Sequence, residues 1–147
     1  MNQLFRNVLP KLVVTPTAGA AGTTDIESTI VDTAGFGGCA FVVQLGAITS
    51  GAVTSCYVQQ NTANSTSGMA TLAGTTVTIA DDDDSQYVVI DCAHATERYL
   101  RLVVDRGTQN AVVAAAHAYL YSPQVAPVTN SDTALHSNTF VISPAEA

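Results

Sequence analysis

The chain has no tryptophan, three cysteines among 147 residues, and only 12 % of its residues are charged. Each shortage closes off a class of function. Lys11, Arg6, Arg98, Arg101 and Arg106 are its only cations against a net charge of −7. They cannot form the basic footprint that releases counterions from a nucleic-acid backbone, so direct binding of DNA or RNA is not expected. No run approaches the ~20 apolar residues of a membrane helix. Arg6 and Lys11 interrupt the apolar opening where a secretion signal needs an unbroken one, so neither a membrane partner nor export is expected. Cys39, Cys56 and Cys92 lack CxxC spacing and sit in apolar runs, which points to buried, reduced thiols in a reducing compartment.

The motifs of common chemistries are also missing. There is no GxSxG elbow, no HExxH, no GxGxxG and no GxxxxGK[ST]. His94, His117 and His136 fall in a connection, a strand-like run and a tail, each without a supporting group, and read as structural or exposed. The one conspicuous cluster is Asp81-Asp82-Asp83-Asp84. Clustered carboxylates suit calcium, but the spaced ligands and glycine of an EF-hand loop are absent, so a solvated turn guarding a strand end is preferred. No enzyme activity, no cofactor and no bound metal are expected.

What the chain does have is strand pattern. Residues 80–121 contain apolar runs at 87–92, 99–104 and 111–121, rich in Val, Ile, Leu and Tyr and separated by short polar connections. Such short connections predict neighbouring antiparallel strands, a three-stranded meander at the centre of the fold. Gly107 supplies a positive φ for the second reversal. The period of two sends Leu100, Leu102 and Val104 inward and leaves Tyr99, Arg101 and Val103 outside. It likewise buries Val88, Ile90 and Cys92 and exposes Tyr87, Val89 and Asp91. An outer face of Tyr, Val and Arg is a candidate docking surface. Arg98, Arg101 and Arg106 lie near Glu97 and Asp105, and both local ion pairing and an arginine anchor for a partner remain open.

The rest of the chain extends this reading. Residues 1–10 form an extended apolar arm with Leu4, Phe5, Val8 and Leu9, set apart by Pro10, which is barred from a central strand. Residues 11–121 form the body. Within it, 16–24 is a loop, 25–33 a short edge strand, 61–68 a polar tip and 75–80 a short strand, while 39–45 and 53–60 read as hairpin partners. The Ala-rich run 111–121 is read as a strand whose small side chains allow two sheets to approach closely. Residues 122–147 hold three of the five prolines and form a tail, with one strand-like stretch at 135–142 that includes Phe140. About eight strands and no helix make a single all-β domain, an antiparallel sandwich or barrel. A surface built from Thr, Ser, Asn, Gln and Ala loses little on desolvation and suits assembly.

The opening MNQLFRNV, the central ADDDDSQYVVIDCAHATERYLRLVVDRGTQNAVV and the closing Val141-Ile142-Ser143-Pro144-Ala145-Glu146 resemble small proteins encoded beside the major capsid gene of tailed phages. The family is that of capsid cement, or decoration, proteins of short-tailed phage heads. The resemblance implies a jelly-roll sandwich on the outer surface of an HK97-type capsid, made in the bacterial host cytoplasm. There it would bridge neighbouring subunits of the major capsid protein and stabilise the shell. A homo-oligomer is expected, a two-fold dimer before a trimer. Candidate contacts are Leu4, Phe5, Val8, Leu9, Tyr99, Arg101, Val103 and Phe140. Two other classes stay open: a neck or head-completion protein, and a receptor- or carbohydrate-binding sandwich of a fibre, disfavoured by the lack of Trp.

Overall fold

A computed structural model describes residues 3–141; the arm's first two residues and residues 142–147, with all of the closing motif but Val141, lie outside the described part. A single helical turn, α1 (Leu4–Asn7), precedes ten strand segments. These are β1 (Leu9–Val14), β2 (Ile26–Glu27), β3 (Val31–Asp32), β4 (Phe36–Ile48), β5 (Thr54–Asn61), β6 (Ala70–Thr71), β7 (Val77–Ile79), β8 (Tyr87–Ala93), β9 (Tyr99–Asp105) and β10 (Ala111–Pro123). One antiparallel sheet runs β1-β10-β4-β8. The second runs β2-β9-β5-β6, with β3 also on β9 and β7 also on β5.

Two of these strands are broken. β2 and β3 pair with successive parts of β9, and β6 and β7 with opposite ends of β5. Counted as one strand each, they leave eight, and the pairs become first with eighth, second with seventh, third with sixth and fourth with fifth. That is a long antiparallel ribbon folded over on itself, the jelly roll. The all-β sandwich expected from the strand pattern is therefore present, with the connectivity that the resemblance implied.

The expected meander is not. β8, β9 and β10 do not pair with one another: β8 lies on β4, β9 between β2/β3 and β5, and β10 between β1 and β4. Nor are residues 39–45 and 53–60 a hairpin, because β4 and β5 belong to different sheets. A short polar connection requires only that the next strand run antiparallel. It spans the ~10 Å between two sheets as readily as it turns within one. Gly107, at φ 61°, makes the β9–β10 crossing, and a Cβ there would stand 2.0 Å from the Val53 carbonyl oxygen.

The alternation itself holds. Leu100, Leu102 and Val104 are fully buried, as are Val58 and Cys56 from β5 in the same sheet. Facing them from the first sheet are Phe41, Val43, Ile90, Cys92, Val113 and Leu120. Ala116 and Ala118 of β10 are wholly buried, the small residues that let the sheets close. β1 begins at Leu9 and contains Pro10, paired with Tyr119, so Pro10 does not separate the arm from the sheet as expected. β1 is an edge strand, where a missing N–H removes no ladder bond. The arm is also not extended, since residues 4–7 make one turn of helix. It stops there because Leu9 precedes proline and is driven to the extended region.

Candidate functional site

The first and last described segments of the chain meet. α1 has no buried residue, and Leu4 and Phe5 are 65 % and 45 % exposed. The tail leaves β10 at Pro123 and is fastened step by step along the open edge of β1. Val128 N–H donates to the Arg6 carbonyl at 2.9 Å, Asn130 Nδ2 to the Pro10 carbonyl at 3.2 Å, and Leu12 N–H to Asp132 Oδ2 at 3.0 Å. Asn130 Oδ1 accepts the Asp132 N–H, and Asp132 accepts those of Leu12 and Ala134, so two side chains cap an edge that a strand would otherwise fill. Beyond them, Asn138, Thr139 and Phe140 close one wall of an open pocket of about 440 Å³, whose other wall is Gln3, Leu4, Phe5 and Arg6. Phe140 and Val141 are 53 % and 60 % exposed. Residues 135–141 form no strand.

Three of the expected contacts, Leu4, Phe5 and Phe140, thus share one pocket. Val8 is half-buried and does not line that pocket, and Leu9 packs on the core as part of β1. The other three lie elsewhere. Arg101 and Val103 are only 6 % and 2 % exposed, and Tyr99 is half-buried. The expected open face of β9 is covered because β9 is central in its sheet, with Glu27 and Tyr57 flanking Val103. Arg101 is satisfied there by donating to Glu27 at 2.6 Å and to Gln59 at 2.7 Å. Arg98 and Arg106 are used internally as well. Arg98 makes a bidentate pair with Asp32, and Arg106, nearly buried, donates to the carbonyls of Ala20, Thr24 and Ala111. Within the chain, Arg98 and Arg101 fill the local-pairing role and Arg106 bonds backbone carbonyls.

The more apolar exterior is the outer face of the first sheet. Register sets Leu12, His117, Val42 and Val89 in one row, Pro10, Tyr119, Ala40 and Asp91 in the next, and Tyr121 over Gly38 beyond them. Tyr121 Oη donates to Asp91 at 2.6 Å. Tyr87 and Val89, expected outside, are 70 % and 52 % exposed. Tyr119 and Tyr121 alternate with the buried Ala118 and Leu120 at a period of two, which sets them on this outer face.

The aspartate run is a fastener. Asp81 Oδ2 accepts the Gly51 N–H at 2.6 Å and Asp84 accepts the Ile48 N–H, tying the β7–β8 loop to the end of β4 and the loop after it, while Asp83 accepts the Ala80 N–H within its own loop. The Gly51 N–H holds the Asp81 carboxyl below its ordinary value, as Arg98 does for Asp32. Among the described residues no three His, Cys, Asp or Glu side chains come together as a metal would require. Burial pushes the Cys39 thiol up to about 12 and the Cys56 and Cys92 thiols up to about 11, the reverse of what a nucleophilic cysteine needs. No described helix is long and apolar enough to cross a membrane. No protein-family model and no curated protein matches the chain.

Proposed function

We propose that the protein is a capsid cement protein that sits on the outer surface of an HK97-type phage shell and bridges neighbouring copies of the major capsid protein. The observation that carries this reading is the apolar cluster at the joined chain ends. Leu4, Phe5, Phe140 and Val141 stay exposed although the tail is fastened to α1 and β1 as far as Asp132. Burying four such side chains at ~1.5–3 kcal/mol each gives several kcal/mol before ordering costs are subtracted. Because Asn130 and Asp132 already fix the tail to β1 and the Val128 N–H fixes it to α1, less freedom remains to be lost on docking. The gain per copy is modest. Repeated over a lattice whose neighbours share each copy, it accumulates through avidity. An acidic subunit with low charge density suits the outside of a DNA-filled shell.

The test is stoichiometry on purified particles. Hundreds of copies per virion, removable without loss of the portal or fibres, are expected of a cement protein. A dozen or so copies would overturn the reading in favour of a neck ring, and a handful in favour of a fibre component.

A further inference from the structure

The long edges of the two sheets are not treated alike. β1 is capped by Asn130 and Asp132, and the second sheet ends in segments of two or three residues. β8 has neither protection. It runs seven residues in unbroken register against β4, from Ala93 opposite Gly38 to Tyr87 opposite Gln44, with no proline, lysine or bulge to deter a visitor. Leu45 N–H donates to the Gln86 carbonyl and His94 N–H to the Gly37 carbonyl. Strict alternation therefore turns the even-numbered residues of β8 toward β4. The N–H and C=O groups of Tyr87, Val89, Asp91 and Ala93 point away from the sheet. No group among the described residues bonds them.

We infer that a second copy of this chain occupies this edge, β8 against β8, antiparallel about a two-fold axis at Val89. The edge is self-complementary in that register. Val89 faces Val89 of the second copy, and Tyr87 faces Asp91, so no like charges oppose each other. An axis at Ile90 sets Val89 against a carboxylate, and one at Asp91 sets the two carboxylates together, a destabilising pair. The pairing also closes. It joins two four-stranded sheets into one of eight strands whose outer edges are both the capped β1, leaving no further template for growth. It places Val89, Val42 and His117 of both copies on one continuous face. An edge contact of this length lies at the low end of interface sizes, so the dimer is concentration-dependent. None of this depends on the capsid reading.

Sedimentation velocity of the full chain over a concentration series tests it. A monomer–dimer equilibrium is expected. V89K and V89E should each dimerise about tenfold more weakly or worse while keeping the far-UV circular dichroism of the parent. An equimolar mixture of the two should pair again, because only in this geometry does position 89 face itself. A parent that stays monomeric throughout, a V89K variant that dimerises like the parent, or a mixture of folded variants that stays monomeric would each overturn the inference. Should a charged variant fail to fold, V89C decides. Mild oxidation should yield a disulfide-linked dimer, since Cα atoms ~5.5 Å apart suit the bond and the native thiols are buried. No covalent dimer means no such pairing.

Discussion

Arg106 shows how a charge is kept in an interior with few charges to spare. It is 6 % exposed, and its guanidinium donates to three carbonyls, those of Ala20 and Thr24 in the loop after β1 and of Ala111 at the start of β10. Replacing it with alanine strands those oxygens, and a loss of about 3 kcal/mol is expected from urea unfolding. Arg98→Ala is the contrast: its pair with Asp32 is half exposed, and less than about 1 kcal/mol should be lost. The buried thiols and Tyr121 set the alkaline limit. Burial holds Cys39 up to about 12, and burial with the Asp91 hydrogen bond does the same for Tyr121. In the unfolded chain these groups release protons at roughly 8.5 and 10. Their stabilising contribution is therefore whole below about pH 8.5 and is lost as pH rises toward 12. Urea midpoints measured across that window should fall steadily, and the thiols should resist modification at pH 8 until the chain unfolds.

At the scale of elements, the edge of β1 is held by two short side chains in place of a ninth strand. Asp132→Ala removes the partner of the Leu12 N–H and should cost about 1 kcal/mol. Amide exchange at Leu12 should quicken, and the tail beyond residue 132 should become open to proteases, while the second sheet is unaffected. The elements themselves were readable because a period of two is a local property. Val88, Ile90 and Cys92 against Tyr87, Val89 and Asp91, or Leu100, Leu102 and Val104 within β9, needed no partner to be assigned. Two things were not local. Whether a strand's outward side is open depends on its place in the sheet, and Arg101 and Val103 are covered because β9 is central. Whether a short turn stays in one sheet depends on the other sheet, so the meander over 87–121 did not form. Asn130 and Asp132 gave no signal at all, since their partners are more than a hundred residues away.

The described molecule is a jelly roll whose β1 edge is capped, whose β8 edge no described group bonds, and whose α1 shares an apolar pocket with Phe140 of the tail. Leu4 and Phe5 were marked by being too apolar for a free arm, and Phe140 by its strand-like surroundings at 135–142. That they share a pocket follows only from the tail's path along β1. The proposed role rests on that cluster being a docking surface and not ordinary core, and a binding titration separates the two. Shells lacking the protein are titrated with the parent chain and with a variant carrying Leu4→Ser, Phe5→Ser and Phe140→Ser. The three side chains are exposed in the free protein, so the variant's own melting temperature should stay within a few degrees of the parent's. Its affinity for shells should fall by a hundredfold or more, about 3 kcal/mol, and the shells' heat tolerance should drop with it. A variant that unfolds at much lower temperature yet binds shells as tightly as the parent would contradict the role given to the joined ends.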